Sequence, residues 1–205
     1  MLFMEVYVLD LAPLSARLDE ALARLSPERR AKSARVRIHA ARVRSVGAGL
    51  LLGRFFPGRE VRVSARGKPY VPGGREFSLS HSGALAVIAL GDGARVGVDA
   101  ERDRAVSEAL RRRVLSPEEL ALGAEAFFPL WTRKEAALKC LGAGVDRSLA
   151  GLDVRADTLT LDGRTLFLHT ARWGEYTLSA AADGASAIFS PRALPIDQLL
   201  SEADI

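Results

Sequence analysis

The sequence predicts an α+β protein built from two similar halves. Each half reads, in order, as a strand, a long helix and a set of antiparallel strands. The segment Phe77-Ser78-Leu79-Ser80 of the first half is echoed by Tyr176-Thr177-Leu178-Ser179 in the second. Such a repeat predicts two halves, residues 1–101 and 102–205, packed about a pseudo-two-fold axis with a functional cleft between them.

The first half begins with a predicted strand from Met4 to Leu9. Ser26-Pro27-Glu28 then opens a helix, with Ser26 as the N-cap and Pro27 at the first helical position. The helical run can bend or break near His39, and Pro57-Gly58 ends it. Short apolar alternations predict further strands at 61–63, 77–80, 84–90 and 95–101.

The last two of these strands are predicted to form a hairpin about Gly91-Asp92-Gly93. In the simple register Glu101 lies opposite Gly83. This register would bring His81 to the level of Asp99 and Glu101, at one end of the sheet.

The second half carries two helix signals. Ser116-Pro117-Glu118-Glu119 matches a capping box, with Glu119 at the third helical position. The segment from Trp131 to Lys139 has high helix propensity, and Gly142 and Gly144 are expected to stop it.

The composition is that of a soluble globular protein: 205 residues, 48% hydrophobic and 26% charged. No apolar run approaches the length that a membrane span requires. The first residues carry Glu5 and Asp10, so they are expected to form a strand and not a signal peptide. The single cysteine, Cys140, excludes an internal disulfide and suits a reducing compartment. We therefore expect a cytoplasmic protein.

Positive charge is concentrated in one region. The formal net charge is +4, and no acidic residue interrupts the segment from Arg29 to Arg44. Its cations are Arg29, Arg30, Lys32, Arg35, Arg37, Arg42 and Arg44. Such a cluster attracts phosphate groups, but an arginine-rich helix face in solvent has the same pattern.

The segment Val96-Gly97-Val98-Asp99-Ala100-Glu101 presents two carboxylates two residues apart. Alternate residues of a strand share a face, so Asp99 and Glu101 point the same way. Two converging carboxylates repel each other unless a cation lies between them, and Mg²⁺ prefers oxygen ligands. The alternative is a pair of solvated surface charges.

The helix from Trp131 to Lys139 supplies a second candidate group. Glu135 and Lys139 are four residues apart and share a face, as an ordinary surface ion pair would. Ala137, Leu138 and Leu141 indicate that much of the helix is buried. A partly buried carboxylate beside a lysine is a candidate functional residue.

These two motifs together resemble the paired signature of the 4'-phosphopantetheinyl transferases. The length of the chain, the Gly67-Lys68-Pro69 turn and the Ser80-His81-Ser82-Gly83 segment resemble the monomeric, surfactin-synthetase-activating type. The likeness covers nearly the whole chain. Ala100 departs from it, because a larger aliphatic residue is usual there, and so does Arg29, because a lysine is common.

The resemblance implies Mg²⁺-dependent transfer of the phosphopantetheine arm of coenzyme A to a serine of an apo-carrier protein, releasing 3',5'-ADP. The carrier could be an acyl, peptidyl or polyketide-synthase carrier. Carried over by position, the Mg²⁺ ligands would be Asp99, Glu101 and Glu135. The coenzyme A contacts would be Arg29, Lys32, Arg44, Ser45, Lys68, Ser80, His81 and Lys139.

The chemistry of the residues agrees with this reaction. Mg²⁺ and Lys139 can stabilise the charge that develops when a diphosphate is broken. Glu135 is the candidate base for the serine hydroxyl, directly or through water, while Lys139 could instead protonate the leaving group. Arg111 to Arg113 could receive an acidic carrier or form a solvated face.

Two other functions fit parts of the sequence. A non-enzymatic nucleotide- or nucleic-acid-binding module would use the Arg29 to Arg44 segment and be indifferent to Glu135. Only 6% of the residues are aromatic, which disfavours a single-strand binder and leads us to expect no nucleic-acid partner. An inactive scaffold is disfavoured because the candidate site residues are all present.

Overall fold

The computed structural model describes residues 4–142, 148–184 and 189–201. The strands are β1 (Met4–Asp10), β2 (Arg62–Val63), β3 (Pro69–Tyr70), β4 (Glu76–Ser82), β5 (Leu85–Gly91), β6 (Val96–Arg102), β7 (Thr158–Leu161), β8 (Arg164–Trp173), β9 (Tyr176–Asp183) and β10 (Pro191–Ala193). The α-helices are α1 (Leu18–Ala23), α2 (Pro27–Ala34), α3 (His39–Phe55), α4 (Glu108–Val114), α5 (Pro117–Leu120), α6 (Phe127–Leu141) and α7 (Ile196–Ser201).

The main strands form two four-stranded sheets. The first has the order β10-β1-β5-β4 and the second the order β6-β9-β8-β7. All pairs are antiparallel except β1 with β10, which is parallel. The fold is therefore mixed α+β with mainly antiparallel sheets, as predicted.

Strand alternation divides the interior into three cores. One face of the first sheet packs on α3, through residues such as Ile88 and Leu50. The inner faces of the two sheets pack on each other, through residues such as Val87 and Val98. The outer face of the second sheet packs on α6. The result is a stack of helix, sheet, sheet and helix.

The helix boundaries follow the predicted signals. Ser26 caps α2 by accepting a hydrogen bond from the Arg29 backbone N–H, and the helical run breaks before α3. Both bonds of the Ser116 capping box are present at α5. Gly142 ends α6 in the left-handed conformation, at φ 63°, which a residue without Cβ adopts at no steric cost. Gly144 lies outside the described residues.

The predicted hairpin between the fifth and sixth strands is wrong. β5 lies between β1 and β4 in the first sheet, and β6 pairs with β9 in the second. The Gly91-Asp92-Gly93 segment therefore carries the chain from one sheet to the other. The strand that lies beside β6 at the border between the sheets is β4.

Each sheet and the helix packed on it follow the same order along the chain: a strand, the helix and then a hairpin. These elements are β1, α3 and β4-β5 for the first sheet and β6, α6 and β8-β9 for the second. The predicted echo does not fall on matching strands, because Phe77–Ser80 lies on the first strand of its hairpin and Tyr176–Ser179 on the second. Near the end of the chain, β10 and α7 return to the first sheet and its core.

None of the described helices combines the length and the apolar character needed to cross a bilayer.

Candidate active site

The candidate site lies where β4, β6 and α6 meet. Ser80 on β4 donates a hydrogen bond to Oδ1 of Asp99 on β6, at 2.8 Å. Lys139 on α6 donates to the same oxygen at 2.7 Å and to the Ser80 hydroxyl at 3.1 Å. Three predicted site residues, each from a different element, thus share one polar cluster.

Asp99 is the most buried member of this cluster. It is 5% exposed, and its Oδ2 atom is buried with no hydrogen-bond partner. A buried carboxylate oxygen without a donor is costly, since its hydration is lost and not replaced. The residue faces α6, while its neighbours Val98 and Ala100 are buried between the sheets, as strand alternation predicted.

Glu101 lies one step further along β6 and is held at Oε2. Ser82 donates to this atom at 3.0 Å and Arg104 at 3.1 Å. The Arg104 guanidinium also lies over the rings of Phe128 and Trp131, 5.5 and 6.0 Å from their centroids. A cation over aromatic faces is held in a preferred position, so Glu101 has a fixed counter-charge.

Glu135 is half-buried on α6, one turn before Lys139. Burial raises the pKa of its carboxyl group, the charge of Asp99 and more weakly that of Glu101 raise it further, and Lys139 opposes the rise. Glu135 and Lys139 line a cavity of about 310 Å³, whose far side is formed by the turn at Lys68. The cavity gives a ligand access to both side chains.

The donor chemistry fits a hard divalent cation in part. Among residues 4–142, 148–184 and 189–201, no group of three or more His, Cys, Asp and Glu side chains is arranged to hold a metal ion. Mg²⁺, however, is commonly held by one or two carboxylates and completes its shell with water and phosphate oxygens. The unpartnered Oδ2 of Asp99 and the nearby carboxylate of Glu101 match that smaller requirement.

Lys68 is tied down by the protein and is not a freely solvated turn lysine. Its ammonium group donates to Glu76 at 3.0 Å, to the Cys140 carbonyl at 3.1 Å and to the Val96 carbonyl at 3.4 Å. It therefore satisfies a carbonyl at the end of α6 and joins that end to β6. Its stem still lines the cavity beside Glu135.

His81 lies on β4 between two serines that contact the carboxylates. Because strand residues alternate, its exposed side chain points away from the face that carries Ser80 and Ser82. The predicted hairpin would have brought His81 to the level of Asp99 and Glu101; in the structure the position of His81 on β4, beside β6, does so instead.

The four predicted basic-region residues lie on α2 and α3. Arg29 is half-buried beside a separate groove of about 430 Å³, and burial lowers its pKa. Lys32 is exposed, and Arg44 is half-buried. The Ser45 hydroxyl is 3.0 Å from that of Ser33, which joins the two helices. No described side-chain hydrogen bond joins these four residues to the Asp99 cluster.

A buried ion pair behind the site escaped the sequence analysis. Lys134, adjacent to Glu135, and Glu119 are each completely buried and form a close hydrogen-bonded ion pair. Lys134 also donates to the Val114 carbonyl at 2.9 Å, and Glu119 accepts from the Ser116 backbone N–H. The capping-box pattern identified Glu119 but gave no sign that its carboxylate also binds a lysine.

The Cys140 thiol is expected to be unreactive in the folded protein. It is completely buried, and burial raises the pKa of its thiol to about 12. The nucleophilic thiolate is therefore absent at neutral pH. We expect a thiol reagent such as dithionitrobenzoate to label the protein in denaturant but not in native buffer, measured by absorbance; rapid native labelling would contradict the described burial.

Comparison with known proteins supports the predicted class over part of the chain. Residues 95–183, which contain β6 and α6, match the family model described as the 4'-phosphopantetheinyl transferase superfamily. The resemblance predicted from the motifs is thus confirmed over this segment.

Three individual relatives have related names. The chain is similar to the 4'-phosphopantetheinyl transferase of Bacillus subtilis, 31% identical over 45% of this chain and 46% of that protein. It is 38% identical to 4'-phosphopantetheinyl transferase psf-1 of Bacillus pumilus, over 43% and 40%. It is 33% identical to 4'-phosphopantetheinyl transferase HetI of Nostoc sp. strain PCC 7120, over 63% and 65%. The matched region spans less than two thirds of the length of each relative.

Proposed function

We propose that the protein transfers the 4'-phosphopantetheine arm of coenzyme A to a serine hydroxyl of an apo-carrier protein and releases 3',5'-ADP. One observation carries the proposal: Ser80, Asp99 and Lys139 converge from three elements beside a cavity that Glu135 also lines. Asp99, Glu135 and Lys139 belong to the two motifs that carry the family resemblance, and Ser80 belongs to the auxiliary Ser80-His81-Ser82-Gly83 segment.

The reaction breaks one phosphorus–oxygen bond of the coenzyme A diphosphate and forms one to the carrier serine. Glu135 accepts the serine proton, directly or through water, because its raised pKa favours proton uptake. Lys139 balances the charge on the phosphoryl oxygens, or protonates the departing phosphate. Its position between Ser80 and Asp99 keeps the ammonium group at the cavity wall.

We propose Mg²⁺ as the metal, held by Asp99, Glu101 and Glu135. When bound, it would supply positive charge to the diphosphate. Asp99 and Glu101 on β6 would supply the first carboxylate oxygens, and Glu135 on α6 would have to join them, because among the described residues the three are not arranged to hold an ion.

The remaining coenzyme A contacts are proposed from position. His81, on the opposite face of β4 from Ser80, would meet the phosphates, and Lys68, whose stem lines the cavity, would lie near the adenine end. Arg29, Lys32, Arg44 and Ser45 would serve the 3'-phosphate, since Arg29 and Arg44 are half-buried on two helices, α2 and α3, that the Ser33–Ser45 contact joins. Arg111 and Arg112 are both paired with Glu108, so an acidic carrier would meet Arg113 more readily.

The proposal includes an architecture and a setting. Residues 1–101 and 102–205 would be two pseudo-symmetric halves with the active site between them. The shared strand-helix-hairpin order supports two halves, although it groups β6 with the second. We further propose a cytoplasmic monomer that serves acyl, peptidyl or polyketide-synthase carriers and does not act on nucleic acid.

Intact-protein mass spectrometry tests the reaction. Apo-acyl carrier protein is incubated with this protein, coenzyme A and Mg²⁺. We expect the carrier to gain the mass of one phosphopantetheine group, because the carrier serine is the acceptor. The gain should disappear with a chelator and with a carrier whose acceptor serine is replaced by alanine.

Several carriers should be tried, since the partner is not fixed by the site. Absence of the gain with fatty-acid, polyketide and peptidyl carriers, together with measurable coenzyme A binding, would contradict the transferase proposal and favour an inactive scaffold. Binding of nucleic acid that is unchanged by Glu135→Gln would favour the non-enzymatic alternative.

A further inference from the structure

We propose that Ser82 is a positioning residue that sets the Glu101 carboxylate, as part of a hydroxyl seam formed by Ser78, Ser80 and Ser82. The seam joins the two sheets at the site. The role assigned to Glu101 rests on the proposed function, whereas the contact between Ser82 and Glu101 does not.

The seam replaces an ordinary strand ladder at the border between β4 and β6. β4 is the edge strand of the first sheet and β6 of the second, and they run in the same direction. The backbone N–H groups of Val98, Ala100 and Arg102 point away from β9 and need acceptors. They donate instead to the three seam hydroxyls: to Ser78 at 3.1 Å, to Ser80 at 3.3 Å and to Ser82 at 3.1 Å.

A serine hydroxyl suits this place because it accepts and donates at once. The Ser82 hydroxyl accepts a hydrogen bond from the Arg102 N–H and donates its own hydrogen bond to Glu101 Oε2. Alanine would remove both bonds. The same atom thus fixes the register of β6 and the direction of a carboxylate that β6 carries.

The three seam residues differ in one informative way. Ser80 and Ser82 each touch a carboxylate, on Asp99 and Glu101 respectively. Ser78 accepts from Val98 and has no described carboxylate contact. Ser78 therefore joins the two sheets as Ser82 does, but it does not orient a carboxylate. This makes Ser78 a matched control for Ser82.

The seam also decides which oxygen of Glu101 can face a cation. Ser82 and Arg104 both donate to Oε2. Among the described contacts, Oε1 is therefore the oxygen available to a metal ion. Partners of this kind orient ligating carboxylates, and their loss typically weakens metal binding about 10- to 100-fold.

Crystal structures of the wild type and of Ser82→Ala test the contact itself, whatever the function. We expect the wild type to retain the bond from Ser82 to Glu101 and the variant to show the Glu101 carboxylate displaced. An unmoved carboxylate in Ser82→Ala would overturn the positioning role.

Titration with Mn²⁺, followed by the electron paramagnetic resonance of the free ion, tests the consequence. Ser82→Ala should weaken Mn²⁺ binding about 10- to 100-fold, whereas Ser78→Ala should leave it unchanged although both variants lower the melting temperature. Equal Mn²⁺ affinities in all three proteins would refute the positioning role. If the wild type binds no Mn²⁺, the metal part of the proposed function fails, and the crystal structures still decide the Ser82 contact.

Discussion

Glu135→Gln is expected to abolish phosphopantetheine transfer while raising the melting temperature of the metal-free protein at neutral pH. Glu135 is the proposed base, and loss of a general base typically lowers the rate about 10²- to 10⁴-fold. Glutamine has nearly the same shape but carries no charge. It therefore removes the chemistry without removing the packing.

The effect on stability follows from the raised pKa of Glu135. Because the folded protein holds this proton more tightly than the unfolded chain, the stabilisation is fully present below the unfolded pKa of about 4.5. It is lost as the pH rises through the folded pKa, where the carboxylate is charged beside Asp99. The difference in melting temperature between the variant and the wild type should therefore shift in favour of the variant as the pH rises from 4 to 8.

Thermal unfolding across this pH range, alongside the carrier mass assay, measures both effects. Glu125→Gln is a suitable control because Glu125 is exposed between α5 and α6. It should change neither quantity. Transfer by Glu135→Gln at the wild-type rate would exclude Glu135 as the base, and a pH-independent difference in melting temperature would exclude the electrostatic explanation.

Lys134→Met is expected to produce the largest loss of stability. It leaves Glu119 completely buried without its partner, and breaking a buried ion pair in this way costs about 3–5 kcal/mol. The loss should appear as a lower urea midpoint. Because Lys134 adjoins Glu135, the same change should also disturb the position of this proposed base on α6.

Two companion variants separate charge from packing. Combining Lys134→Met with Glu119→Gln should recover part of the stability, since no uncompensated charge is then buried. Arg112→Met breaks the exposed pair with Glu108 and should cost less than about 1 kcal/mol. If Lys134→Met unfolds at the same urea concentration as Arg112→Met, the buried pair does not have the importance assigned to it.

Local patterns predicted the local structure well. The alternation around Asp99 gave the correct face for both carboxylates, and the Ser116 pattern gave the α5 capping box. Gly142 ends α6 as expected. Each of these features depends on residues only a few positions apart, so a short stretch of sequence is enough to predict it.

Strand pairing depends on distant residues and was not predictable in the same way. β5 is buried along its whole length, so its apolar residues give no alternation that would select a partner. The short Gly91-Asp92-Gly93 connection favoured a hairpin with β6. In the structure β1, from the start of the chain, lies on one side of β5 and β4 on the other.

The sequence predicted the main residues of the candidate site but not the residues that hold them in position. Ser80, Asp99 and Lys139, which the sequence assigned to one site, are in contact, and the roles assigned to them stay predictions. Ser78 and Ser82 recur with the period of a strand on the same face as Ser80, and this signal was available in the sequence. The role of Arg104 was not, because its contacts with Glu101 and the aromatic rings depend on where α6 packs.

Gly97 stands in the most recognisable segment of the chain, yet it has no side chain to contribute to the chemistry. A Cβ atom at this position would lie 1.9 Å from the Ala136 carbonyl oxygen and 2.5 Å from the Cys140 nitrogen, so only glycine lets β6 approach α6 so closely. Two of the site's carboxylates come from the strand, and the third comes from the helix together with the lysine. Gly97 therefore sets the distance between β6 and α6, so this motif determines the spacing of the two elements as well as the reactive groups that they carry.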